Sequence, residues 1–250
     1  MKKLLLILLC LPMIGFGQQT YVPDTNFEQA LINLGYDTGA PNGYIPTSNI
    51  NTITYLNINS ENISDLTGIE DFTALNYLHC YNNQLTSLNV SQNTALITLY
   101  CYNNQLTSLD VSQNTALADL ICSDSQLTSL DVSNNTALTT LDCSSNQLTT
   151  LDVRNGNNNL LDTMFSCLKN YNLTCINVDN VAWANTNWIN IEPQHYFSTN
   201  CPPPTAIEEH TTHKELLKVT DLLGRETKQT NQPLFYIYDD GTVEKRIVIE

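Results

Sequence analysis

Apolar positions recur along residues 75–153 with a fixed period of 21. Leucines stand at 75, 96, 117 and 138, and again at 78, 99, 120 and 141. Cys80, Cys101, Cys122 and Cys143 follow two residues later. Two further leucine columns fall at 85, 106, 127 and 148 and at 88, 109, 130 and 151, and each unit closes on a valine at 90, 111, 132 or 153. Most positions between are polar. A repeat of this length cannot bury its own apolar face, so each coil must cover its neighbour, and the pattern predicts a solenoid. Within a unit, Leu78-x-Cys80 alternates with polar or aromatic neighbours. That predicts a short strand with Leu and Cys inward, and a mainly β chain.

The flanks break the pattern in readable ways. Phe27, Ala30, Leu31 and Leu34 have helical spacing. Thr25-x-x-Glu28 reads as a capping box and Gly35 as the stop, which predicts a short helix within an N-terminal cap over residues 18–52. Ile53, Leu56, Ile58, Ile63, Leu66, Ile69 and Phe72 give an irregular first coil of 22 residues. After Val153 the period is lost. Leu161-x-x-Met164 and Leu173 to Val178 still match the template, so the solenoid is expected to run over 53–180 with a stretched last coil. Trp183, Trp188, Ile189, Ile191, Tyr196 and Phe197 then predict an aromatic lid over 181–201. Pro202-Pro203-Pro204 opens a stiff linker over 202–208. Leu234–Tyr238, Asp240-Gly241 and Val243–Ile249 read as a hairpin within a separate small β module, 209–250.

Composition narrows the function. Met1-Lys2-Lys3, the apolar run 4–14 and the small-x-small step at 15–17 form a signal peptide, too short to span a bilayer. The 250-residue chain has a formal charge of −15, or −17 without Lys2 and Lys3. Nucleic acid, which needs a basic footprint, is thereby excluded as a partner, as is attraction to an anionic membrane surface. The four periodic cysteines stack in parallel about 4.8 Å apart. A straight column neither favours disulfide geometry nor converges on a metal, so they read as buried free thiols. Cys167, Cys175 and Cys201 lie outside that column, and Cys175–Cys201 is the expected disulfide because the Cys175 slot faces away from the core.

The register of Leu-x-x-Leu-x-Cys-x-x-Asn-x-Leu resembles bacterial surface leucine-rich repeats over about residues 50–180. The resemblance implies a right-handed parallel solenoid with a strand on the concave face. It also implies that Asn83, Asn104 and Asn146 bond backbone groups in the turn. Ser125 and Glu61 depart from that asparagine position. The tail is similar to a short type IX secretion sorting domain. The likeness rests on residues 217–226 (Leu-Lys-Val-Thr-Asp-Leu-Leu-Gly-Arg-Glu), Tyr236-Ile237-Tyr238 and Lys245-Arg246, without the upstream Pro-x-Pro. This implies passage through outer-membrane secretion machinery and display on, or release from, the cell surface.

Candidate chemistry sits on the outward strand positions. Tyr55, Tyr77, His79, Tyr81, Tyr100 and Tyr102 gather at one end of the concave face, and Asp119 and Asp142 at the other. Tyrosine joins large contact area to a polar tip, so this face is the expected binding surface for a protein or glycan, in adhesion or recognition. The plainer reading is that cross-strand aromatics only stabilise a sheet, in a structural spacer without a specific ligand. Asp119 and Asp142 as a glycan-hydrolase pair is the third and weakest reading. Asn89, Asp110, Asp131 and Asp152 form a second column, read as backbone caps rather than calcium ligands. His210-x-x-His213 lies in linker-like sequence. No enzymatic motif, cofactor or metal site is expected.

Overall fold

The computed structural model describes residues 17–161, 164–202, 216–220, 233–238 and 243–247. The leader, the linker prolines after Pro202, His210, His213, the Asp221 to Arg225 block and the Asp240-Gly241 turn lie outside the described residues.

The chain starts with strand β1 (Gln19–Tyr21), helix α1 (Thr25–Asn33) and strand β2 (Tyr44–Pro46), which pairs antiparallel with β1. The capping box is corrected: Asp24, not Thr25, is the N-cap, because its Oδ1 accepts from Asn26 N (2.9 Å) and Phe27 N (3.0 Å). Its Oδ2 accepts from the Ser64 and Asp65 amides, so one carboxylate ties the helix to the first coil. Burial opposes ionisation of Asp24, but the donors from Ser64, Phe27 and Asp65 outweigh it and hold the carboxyl below its ordinary range. Glu28 is buried and turns instead to the amides of Asn42 and Gly43, at 2.7 and 2.8 Å. The helix lays Phe27 against Phe72 of the first coil, ring centroids 6.3 Å apart. Gly68 closes that coil with φ +104°; a side chain there would meet the Tyr21 carbonyl at 2.7 Å.

The coils then follow. Strands β3 (Tyr55–Asn57), β4 (Tyr77–His79), β5 (Thr98–Tyr100) and β6 (Asp119–Ile121) pair in parallel and in register. From here a second sheet appears on the far flank of each coil, so the chain alternates. Strand β7 (Ser129–Asp131) belongs to the second sheet and β8 (Thr140–Asp142) to the first; β9 (Thr150–Asp152) follows in the second and β10 (Phe165–Ser166) in the first. Strand β11 (Cys175–Asn177) continues the second sheet, and after helix α2 (Val181–Asn187), β12 (Tyr196–Ser198) closes it. The interior between the sheets is filled by the predicted Leu, Cys and Val columns, nearly all fully buried. This is a mainly β leucine-rich repeat solenoid.

Two asparagine columns bridge the turns. Asn104 donates to the carbonyls of Cys80 (3.1 Å) and Cys101 (3.0 Å) and accepts from Leu85 N (3.0 Å); Asn83 and Asn146 repeat the pattern. The residue before each turns left-handed, as at Asn82, Asn103, Asp124, Ser145 and Lys169. Asn93, Asn114 and Asn135 form the second column, fully buried, each bridging two carbonyls of neighbouring coils. The sequence signal for this one was an asparagine recurring at the same place in every polar turn.

The last coil is corrected twice. Phe165, not Met164, takes the leucine slot: Phe165 pairs with Leu141 and is buried, whereas Met164 is exposed. Cys167 is not outside the thiol column but extends it, next to Cys143, and Asn170 takes the motif position, bonding Cys143 O, Cys167 O and Leu148 N. Three extra residues between Val153 and Phe165 and one after Asn170 hid this from the template, and all fall outside the strand, where a coil can lengthen without disturbing the ladder. Burial pushes the Cys167 and Cys101 thiols up to about 12, so these sulfurs act as apolar packing atoms.

The lid rests on Trp188, which stacks on Phe165 (4.1 Å), meets Trp183 and Phe197 edge-on and donates from Nε1 to Leu161 O. Ile189 and Tyr196 of the expected lid face outward instead. His195 pins the lid: its Nδ1 accepts from Glu192 N (3.1 Å) and lies 3.5 Å from Cys167 Sγ, and its Nε2 meets Asn170 O at 3.3 Å. Cys175 and Cys201 are disulfide-bonded, Cα atoms 5.7 Å apart.

The chain divides at Pro202 into two compact units. In the second, β13 (Leu216–Thr220), β14 (Pro233–Tyr238) and β15 (Val243–Ile247) make an antiparallel sheet in that order. Among the described residues no helix is long and apolar enough to cross a membrane.

Candidate functional site

Because Leu78 and Cys80 point inward, their neighbours must point out, and the in-phase ladder aligns them coil on coil. Tyr55 lies opposite Tyr77, and Asn57, His79, Tyr100, Ile121 and Asp142 form one cross-strand row. The six aromatic residues singled out by sequence come together as one continuous cluster. Tyr55 contacts Tyr77 (6.3 Å between centroids) and His79 (5.4 Å). His79 stacks on Tyr100 at 4.7 Å and reaches Tyr81 at 6.4 Å. Tyr81 stacks on Tyr102 at 4.5 Å with the rings only 6° apart. Tyr55 and Tyr77 remain 49% and 40% exposed, and no part of the first unit covers them.

The electrostatics of the cluster are those of a half-dry, negatively biased surface. Burial lowers the His79 pKa, which keeps its ring neutral near pH 7. Tyr100 is raised by burial and by the charge of Asp119 on the next strand; Tyr102 is raised by burial and by Tyr81. Asp119 accepts the Thr98 hydroxyl at 3.3 Å. Asp142 accepts the Ser144 amide (3.0 Å) and hydroxyl (2.6 Å). The two carboxylates sit on adjacent strands, two positions out of register. Cys175 and Cys201 are part of the far end of the coil stack, not of this face.

The flank column behaves differently. The side chains of Asn89, Asp110, Asp131 and Asp152 each accept the amide two residues on, and Asp152 also pairs with Arg154. Three clefts lie here, lined by residues such as Ser87, Asn89, Ser108 and Asp110. They are gaps between regularly spaced short side chains, with one side-chain oxygen each of Asn89, Asp110 and Asp131 engaged by a backbone amide. The aromatic face is shallow and open, which is the form a macromolecular surface takes rather than a small-molecule pocket. Among the described residues no group of three metal-ligating side chains converges.

The fold and this face define a leucine-rich repeat solenoid. Among solved structures the chain is similar to the functional domain of InlJ from Listeria monocytogenes, described as including a cysteine ladder. The match is 35% identical, covers 65% of this chain and 38% of that one, with a TM-score of 0.53. An internalin InlF of the same organism matches at 19% identity over 71% of this chain and 56% of that one, TM-score 0.46. The chain thus spans well under two thirds of the length of both. No protein-family model and no curated protein matches it.

Proposed function

We propose that this is an exported recognition protein that binds a protein partner through its aromatic concave face, in adhesion or a related surface contact. The observation that carries the reading is the joining of Tyr55, Tyr77, His79, Tyr81, Tyr100 and Tyr102 into one partly exposed cluster on a rigid ladder. Aromatic side chains held by a preformed sheet lose little conformational freedom on binding and supply most of the contact energy where they are desolvated. The leader and the short sorting-like tail support delivery to the outer surface through secretion machinery. Deleting residues 209–250 should then retain the protein in the periplasm, and normal display would end that part of the proposal.

The concave face is tested by replacing Tyr77, Tyr81, Tyr100 and Tyr102 with Ser in the full chain. Retention on immobilised surface proteins and glycans should be lost while cooperative thermal unfolding persists. The face-to-face pairs Tyr81–Tyr102 and His79–Tyr100 also favour a second reading, a structural spacer in which the rings only brace the sheet. On that reading the four substitutions lower stability and leave retention unchanged. A glycan partner would show as retention on the sugar arm alone. Turnover of a glycan panel lost with Asp119→Asn would instead mark a hydrolase.

A further inference from the structure

The solenoid has an unusual charge pattern. Between Lys3 and Arg154 the chain contains no Lys or Arg, while the same stretch carries thirteen Asp and Glu residues. The aromatic cluster therefore sits in a field of one sign. Its two bordering carboxylates are not neutralised: among the described residues the one ion pair is Arg154 with Asp152, on the other sheet. Among the described residues each border carboxylate also keeps one oxygen without a bond. Asp119 uses Oδ2 for Thr98, and Asp142 uses Oδ1 for both Ser144 donors. His79 supplies no compensating charge, since burial holds it neutral. Meanwhile Tyr81 stacks on Tyr102 and His79 on Tyr100, which builds a continuous aromatic ledge, and the exposed rings of Tyr55 and Tyr77 at its end are open to a planar or compact cation.

Aromatic faces beside unpaired carboxylates recognise guanidinium and ammonium groups, the first by stacking and the second by charge. We propose that the concave face takes an extended polypeptide segment carrying Arg and Lys side chains, laid over the tyrosine cluster with its cations on Asp119 and Asp142. This rests on the reading of the concave face as the binding surface and adds the chemistry of the partner. A neutral glycan would use the rings and leave the carboxylates unanswered; an acidic glycan or acidic peptide would be repelled.

The test is titration of the full chain with four probes: an Arg/Lys-rich decapeptide, a Glu-rich decapeptide, a Gly/Ser decapeptide and a neutral oligosaccharide. The cationic peptide alone should bind, and raising salt to about 1 M, where charges are screened beyond about 3 Å, should weaken it strongly. Asp119→Asn with Asp142→Asn should weaken it about tenfold, equivalent to about 1.4 kcal/mol. The control pair Asp110→Asn with Asp131→Asn, on the flank, should change it less than about twofold; Asn already serves that role at position 89. Equal losses from both pairs mean diffuse attraction to an acidic protein and overturn the proposal. So does no binding of the cationic peptide. If the oligosaccharide or neutral peptide binds instead and the four Tyr→Ser changes abolish it, the concave face stands and the cationic partner falls. If the cationic peptide binds undiminished by the Tyr→Ser changes, the concave-face reading falls as well.

Discussion

Two coils of the solenoid err in opposite ways. The coil 117–132 keeps perfect 21-residue spacing but carries Ser125 where its neighbours carry asparagine. The coil 161–178 has lost the spacing but keeps the right residues, Phe165, Cys167, Asn170, Leu173, Ile176 and Val178, in the right slots. The structure treats them unequally. In the irregular coil Asn170 makes every bond its counterparts make. In the regular coil the Ser125 hydroxyl is buried without a partner among the described residues, because it is too short to span the carbonyls that Asn104 and Asn146 bridge. Spacing before the strand and after the turn asparagine is forgiving, since a coil can lengthen there without disturbing the ladder. Chemistry at the turn is not, since an unmet buried group costs about 1–3 kcal/mol.

Removing the good asparagine should therefore hurt most. Asn170→Ala strands Leu148 N–H and the Cys143 and Cys167 carbonyls, and should cost about 3 kcal/mol in chemical denaturation. The converse repair, Ser125→Asn, should raise stability by about 1 kcal/mol and give the buried position a full set of partners. A loss as large as that of Asn170→Ala would show that the backbone at Ser125 has relaxed into a different turn.

Acid should act on the irregular coil through its lid. Burial lowers the His195 pKa against the smaller opposing pulls of Asn170 O and Glu192, so the folded state resists protonation more than the unfolded chain does. The neutral ring's contribution is present above the unfolded value of about 6.5 and is lost as pH falls through the folded value. His79 acts with the same sign. Melting temperature should fall from pH 7 to pH 5, and His195→Gln should flatten part of that slope. The smallest effect is local. Ser145 occupies the left-handed turn position that Asn82 and Asn103 fill in their coils, so Ser145→Asn should stabilise by a few tenths to about 0.5 kcal/mol.

The columns that build the coil were legible because they repeat: Leu, Cys and Val at period 21 admit one arrangement. The outward aromatic set was legible for the same reason, since fixing the inward residues fixes their neighbours. What repetition did not carry was hidden. Cys167 and Asn170 were displaced by three extra residues between Val153 and Phe165. Asp24 took the cap from Thr25 because it alone also reaches the Ser64 and Asp65 amides, forty residues away in sequence.

By itself the sequence determined the period, the inward and outward faces and the acidic charge, because these follow from local alternation and composition. Only the tertiary structure decided which residues meet across coils: the joining of six rings into one surface, the second asparagine column between neighbouring turns, and the His195 pin on the lid. Those depend on distances between residues about one coil or more apart, and a short stretch of chain holds no record of which turn will lie against it.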